Sequence, residues 1–306
     1  MAKEYRKSGF SDRAENEGHR LINKDGSYNV DKSGLNFFQR FSLFHWLIHL
    51  SFWKFLLFLL GIYLTVNAGF ALVYTAIGLD SISGDVPDTF VACFIKAFYF
   101  STQTMTTVGY GALYPQTNAA SVTAAIEAFI GLLGFAMATG LLYGRFSRPK
   151  ARILFSQHAV IAPYRDGKGL MIRLANAKES QITNLTARMT YSELISVDGE
   201  KKRKFYSLDL ELDEISALVT AWTLVHPVVD GSPFTDINAD ELTRRKVEVI
   251  VHLRGYDETY SQIVQTRASF TSDEIVDDAR FVKVLGHNDD GRATLDLDGL
   301  GRWERV

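Results

Sequence analysis

Apolar and charged positions divide the chain near residue 150: two long stretches before it carry almost no charge, and after it apolar residues alternate with polar ones. Residues 55–79 contain no Asp, Glu, Lys or Arg. As a helix the run measures about 37 Å, enough to cross a hydrocarbon core of roughly 30 Å. It starts too far in, is too long and lacks the small-residue cleavage site of a signal peptide. A second uncharged run covers 97–125 and, after the lone Glu127, resumes over 128–144. Gly109, Gly111 and Pro115 break helices, so this run divides. The pattern predicts an outer helix over 53–79, a short helix over 88–105 starting at Pro87-Asp88, an irregular stretch over 107–115, and an inner helix over 118–146.

Ahead of the first span, Phe37, Phe41, Phe44 and Ile48 fall on one helical face, with Ser42, His45 and His49 on another. This predicts an amphipathic interfacial helix over 35–52, anchored by Trp46 and Trp53 and preceded by an N-terminal segment, 1–34. His45 and His49 stand at metal-ligand spacing, but no third ligand is near, and the pair reads as an ordinary polar face. Beyond a linker at 147–154 the period changes to two. Leu185, Ala187, Met189 and Tyr191 alternate with polar residues, as do Tyr206, Leu208, Leu210 and Leu212, and Val247, Val249, Val251 and Leu253. These are half-buried antiparallel strands, with Asp198-Gly199 as a hairpin turn. Short strands at this spacing predict an all-β sandwich over 155–306.

Charge fixes the orientation. Arg40 and Lys54 precede the first span, and Arg145, Arg148, Lys150 and Arg152 follow the second. Between the spans stands only Lys96, beside Asp80, Asp85 and Asp88. Both termini are expected to be cytoplasmic, in the cell (inner) membrane. Four basic residues within one short stretch beside the membrane also attract anionic, phosphoinositide-type lipid, at about 1 kcal/mol each. The formal net charge of −2 gives no field to draw in nucleic acid. A mean hydropathy near zero suits a membrane part joined to a polar soluble part. The single Cys93 excludes an intramolecular disulfide, and no Cys/His cluster has zinc spacing. Neither a Gly-x-Gly-x-x-Gly turn after a strand nor a Walker loop is present, and nothing stands at nucleophile-elbow spacing, so an enzyme has no positive support.

Irregular backbone at membrane depth is tolerated only where protein or a water-filled cavity surrounds it. The loop therefore implies a pore. Within Thr107-Val108-Gly109-Tyr110-Gly111, two glycines let successive carbonyls point one way, and rings of such carbonyls can replace the hydration shell of K⁺. One chain supplies one loop, so a homotetramer is expected. The C-terminal end of the preceding helix favours a cation. Glu127 is the lone acid within the spans and is expected to support the filter rather than bind the permeating ion. Gly131, Gly134 and Gly140 serve packing or bending; the pattern is read as packing at Gly134 and hinges at Gly131 and Gly140. Tyr143 would narrow the cytoplasmic end where the helices cross. The competing readings are a weakly selective cation channel and a membrane-anchored binding or signalling module.

The five-residue loop looks like the signature of potassium channels, and the chain over 37–296 resembles the prokaryotic inward-rectifier potassium channels. His45-Trp46 carries this, as does Arg145-Phe146-Ser147-Arg148-Pro149-Lys150-Ala151. So do Trp222-Thr223-Leu224-Val225-His226-Pro227-Val228, Ser232-Pro233, Asp257-Glu258-Thr259, Gln265-Thr266-Arg267-Ala268-Ser269-Phe270 and Asp273-Glu274-Ile275. The resemblance implies a slide helix before the first span, a gate at Tyr143, and an immunoglobulin-like sandwich extending the pore. It implies no cofactor beyond permeant K⁺, with Mg²⁺ or polyamine as modulators. Phe135 occupies the cavity position where strong rectifiers carry an acid or Asn. Gln103 occupies that of a Glu paired behind the filter. Glu258 matches an acid lining the cytoplasmic pore, though by residue type alone it reads as a solvated loop residue.

Overall fold

The computed structural model describes residues 20–24, 26–30, 34, 42–146, 152–178, 180–197, 200–235 and 237–306. Phe37, Phe41, Arg148, Lys150 and the Asp198-Gly199 turn lie outside them. The chain forms two compact units, one of residues 34–148 and one of 1–33 with 149–306.

The first unit is helical. Helix α1 (Leu43–His49) is followed by α2 (Phe52–Ile77). The expected single helix over 35–52 is thus cut short: Ser51 adopts extended backbone and caps a new helix at Phe52. Leu47 and Ile48 are the buried face of α1, whereas Phe44 is exposed. The side chains of His45 and His49 fall outside the described residues. Helix α2 stops two residues short of Leu79 because Gly78 takes φ 109°, closed to other residues, and a short 3₁₀ turn, Leu79–Ser81, follows. Helix α3 (Phe90–Met105) begins after Thr89, not at Asp88. The Thr89 hydroxyl accepts the Ala92 N–H, satisfying a donor that Asp88 lies too early to reach. Helix α4 (Asn118–Phe146) runs unbroken through Gly131, Gly134 and Gly140. A small core of Ala71, Tyr74, Ile82, Ala97, Phe100 and Ala120 joins α2, α3 and α4.

The second unit is a sandwich of two five-stranded sheets. Its strands are β1 (Ile153–Phe155), β2 (Ala159–Tyr164), β3 (Gly167–Asn176), β4 (Ile182–Val197), β5 (Glu200–Leu208), β6 (Glu214–Ala217) and β7 (Ala221–Val228). After the short helix α5 (Ala239–Arg244) come β8 (Glu248–Asp257), β9 (Gln262–Thr271), β10 (Ile275–Asp277), β11 (Ala279–Phe281), β12 (Leu285–His287), β13 (Ala293–Leu295) and β14 (Trp303–Arg305). One sheet runs β1-β3-β2-β10 with β7 also on β3; the other runs β5-β4-β8-β9 with β6 also on β4. Leu185, Ala187, Met189, Tyr191, Val249, Val251 and Leu253 interlock in the core between the sheets. Two expectations are corrected. β10 joins β2 in parallel. Strand β5 ends at Leu208, leaving Leu210 in a connection packed against the core and Leu212 exposed.

The N-terminal segment is not a free tail over its described part. Residues 22 and 28 form a bridge across a turn at Gly26, and Leu21 and Ile22 pack on Phe205 and Ile250, on the face of the second sheet away from the core. Their backbone amides donate to Glu248, at 2.9 Å from Leu21 and 3.2 Å from Ile22. Arg203 donates to the same carboxylate at 3.2 Å, both side chains being buried. Arg20 and Lys24 clamp Glu274.

Candidate functional site

The loop after α3 is built by backbone. Thr107, Gly109 and Gly111 have φ of 58°, 51° and 84°, whereas Val108 and Tyr110 keep negative φ. Handedness therefore alternates at every residue, which lets consecutive peptide carbonyls share one side of the strand. A left-handed Thr costs about 1–2 kcal/mol, so surrounding bonds must hold it there. They come from the last turn of α3. Thr107 N–H donates to Thr104 O (3.1 Å), and the amides of Val108 and Gly109 both donate to Gln103 O (3.0 and 3.4 Å). The amides point back to the helix, and among the described residues no donor reaches a carbonyl of 107–111. The downstream end is anchored through Ser83. Its amide donates to Tyr114 O (2.9 Å), its hydroxyl to Ala112 O (3.2 Å), and the hydroxyl accepts the Tyr114 N–H (2.8 Å). Lys96 holds the adjoining turn by donating to the carbonyls of Ile82, Gly84 and Asp85.

Behind the loop lies a buried polar clasp joining all three helices. Glu127 of α4 accepts from Tyr74 of α2 (2.7 Å) and from Ser101 of α3. The Ser101 hydroxyl also lies 2.9 Å from Asn67 Oδ1, and Asn67 Nδ2 donates to Tyr63 O (2.7 Å) and Met105 Sδ (3.1 Å). Glu127, Asn67, Ser101 and Tyr74 have no exposed surface. Glu127 is legible as a buried acid; its partners are scattered over two other helices, so spacing offers no signal for them. Gln103 contributes its main-chain oxygen, while its side-chain Oε1 is buried without a hydrogen-bond partner.

Gly131, read from the sequence as a hinge, is instead a packing position. A Cβ at Gly131 would lie 2.2 Å from the Met105 carbonyl oxygen, making Gly131 the close-packing position of α4 against the end of α3. Gly134 and Gly140 meet nothing within 4 Å. Phe135 and Tyr143 on α4 are 75% and 73% exposed. Phe135, Gly134, Gly131, Met105 and Thr107 share a cavity of about 590 Å³.

The remaining sequence candidates are dispersed. Arg145 is drawn inward: it donates to the carbonyls of Leu47 and Ile48 (3.5 and 3.3 Å) and sits 5.5 Å from the Phe55 ring centroid. Arg152 is exposed ahead of β1. Glu258 is exposed in the β8–β9 turn, its amide donating to Gln181 O (3.2 Å). Among the described residues no three His, Cys, Asp or Glu side chains gather as a metal site.

Comparison with known proteins agrees with this layout. Residues 153–306 match the family model of the inward rectifier potassium channel C-terminal domain, and 37–148 match that of an ion channel. The inward rectifier potassium channel Kirbac3.1 of Paramagnetospirillum magnetotacticum is 37% identical over 283 residues, covering 91% of this chain and 93% of its own. The human G protein-activated inward rectifier potassium channel 2 is 29% identical over 301 residues, covering 90% and 70%. The chicken (Gallus gallus) ATP-sensitive inward rectifier potassium channel 12 is 29% identical over 296 residues, covering 87% and 67%.

Proposed function

This chain belongs to the inward-rectifier potassium channel family, and from that premise we propose that four copies surround one axis and pass K⁺ through oxygens of Thr107, Val108, Gly109 and Tyr110. The reading rests on one observation: a run of alternating handedness whose first three amides donate to Thr104 and Gln103 and whose carbonyls carry no hydrogen bond among the described residues. Unused carbonyls between two spans, at the negative end of α3, suit a dehydrated cation. The ion crosses passively and no bond is made or broken.

The other parts follow in order along α4. Glu127 stiffens the filter by locking α4 to α2 and α3. Phe135 lines the cavity below it without a charge to hold Mg²⁺ or polyamine, so block there is weak. Tyr143, two residues before Arg145, closes the pathway when four copies converge. Arg148, Lys150 and Arg152 meet anionic lipid, whereas Arg145 serves the α1 carbonyls.

Flux from purified protein in liposomes tests this. Gly109→Asp is expected to abolish K⁺ flux while particle size in detergent stays that of a tetramer, because only the carbonyl column is disturbed. Unchanged flux, or comparable Na⁺ flux in the parent chain, would overturn the filter assignment.

A further inference from the structure

Several cations of the cytoplasmic unit form ion pairs. Arg203 and Arg245 meet Glu248 and Glu193, Arg20 and Lys24 meet Glu274, Arg165 meets Glu211, and Lys168 meets Asp277 and Asp278. One group does not. The register across β4, β8 and β9 sets Arg188 opposite His252 and His252 opposite Arg267, with Arg254 between Thr186 and Gln265 in the next rung. These positions share one face, because their neighbours Ala187, Val251, Leu253 and Ala268 are buried in the core. Arg188 and Arg254 are exposed, and His252 and Arg267 half-buried. Among the described residues none of the four makes an ion pair. Three arginines on adjacent strands thus surround one imidazole, with no acid directly opposite any of them.

Among the described residues no acid forms an ion pair with this group, although Glu214 of β6 stands on the same face in the rung of Arg254, across Thr186. Glu248, on the same face of β8, is consumed by Arg203 and the amides of Leu21 and Ile22. Asp257 is buried at the strand end, accepting the Thr259 and Tyr260 amides. Asp209 and Asp213 share a cavity of about 230 Å³ with Arg188 and form no ion pair with it. The N-terminal segment presents an aromatic ring: the Arg267 guanidinium lies 4.7 Å from the Tyr28 centroid. Arg267 is thereby held in place while its charge stays uncancelled.

We propose that Arg188, His252, Arg254 and Arg267 form a binding site for a multiply charged phosphate group. Guanidinium forks match phosphate oxygens in bidentate geometry. Three adjacent strands, each about 4.8 Å from the next, spread the cations over roughly 10 Å, the reach of two linked phosphoryl groups rather than of one carboxylate. Burial, then Arg267, Arg188 and Arg254, hold the His252 imidazole below its usual range, against an opposing hydrogen bond with Gln265. A bound anion reverses the sign of that field, so His252 takes up a proton with the ligand and binding tightens as pH falls through the ordinary His range.

The test uses the full chain in zwitterionic nanodiscs, titrated with pyrophosphate, and in a second arm in nanodiscs containing a phosphoinositide. Arg254→Gln should weaken binding at least tenfold and Arg188→Gln/Arg254→Gln should remove it, with the elution volume of the parent. Arg292→Gln, an exposed arginine elsewhere, should change nothing. Loss in both variants supports the site, and the arm that binds identifies a soluble or a membrane-borne phosphate. His252→Gln should shrink the gain in affinity between pH 7.5 and 6.0 relative to the parent with the same ligand. Affinity within twofold of the parent in the double variant overturns the proposal. So does absence of binding in both arms at millimolar ligand, or lipid binding that Arg152→Gln removes and Arg254→Gln leaves intact.

Discussion

The two units solve opposite problems. The sandwich buries its apolar residues within itself: Leu170, Ile172, Leu174, Leu185, Val249 and Val251 are fully enclosed between two sheets. The helical unit turns its apolar residues outward, with only 11% of the most apolar window of α2 or of α4 buried. A membrane must cover much of what α2 and α4 expose, since contiguous apolar surface of that size is not left to water. Information is stored differently too. In the sandwich it lies in side-chain packing and paired charges; in the helical unit the loop over 107–111 is set by backbone geometry and held by a few hydrogen bonds. Damage to one should therefore act on solubility and folding, and damage confined to the five-residue loop of the other on transport with the particle intact.

The largest expected break is Gly131→Val. Its side chain meets main-chain atoms of Met105, which cannot rotate away, and Met105 lies two residues before the loop that starts at Thr107. Assembled particle and K⁺ flux should both be lost, while Gly134→Ala, facing open space, keeps the particle; size-exclusion profiles of the pair decide. Next comes Arg203→Leu, which strands Glu248 in the interior. Removing one member of a buried pair costs about 3–5 kcal/mol. Limited proteolysis should then cut within residues 20–30 first, with the helical unit still protected. A smaller effect separates the units by pH. His226 is buried, its Nδ1 2.7 Å from Asp209 O and its Nε2 2.9 Å from Ser232 Oγ, and burial holds its pKa below the usual value despite the Asp209 carbonyl. The native sandwich keeps this imidazole neutral, while the unfolded chain protonates near pH 6.5. Its contribution is complete above that pH and erodes as pH falls toward the lower native value. Denaturant midpoints of the sandwich should drop between pH 7.5 and 5.5, less steeply in His226→Gln. The smallest is Thr89→Ala, worth about 1 kcal/mol as a lost cap. Hydrogen exchange should quicken in the first turn of α3 alone, with flux unchanged.

Sequence disclosed the fold class because its signals are periodic or contiguous: an uncharged run needs no partner to be recognised, nor do strands such as 185–191. What stayed hidden is relational. Thr89 outcompetes Asp88 as cap by one residue of geometry. The clasp at Glu127 draws partners from positions 67, 74 and 101, which no spacing rule connects. Gly131 and Gly134 look alike in a string, and only the approach of Met105 tells them apart. Arg145 is one of several basic residues until the ends of α1 claim it. Residues 20–30 lack any period, and their attachment depends on an acid more than two hundred positions away.

That attachment sets a schedule for synthesis. The hairpin around Gly26 leaves the ribosome first, yet Glu248, Ser269 and Glu274, to which it binds, emerge only after both spans have entered the bilayer. The nascent chain must keep its leading end unoccupied throughout insertion, so the time between initiation and final closure is the interval in which a chaperone, or a wrong neighbour, can capture it.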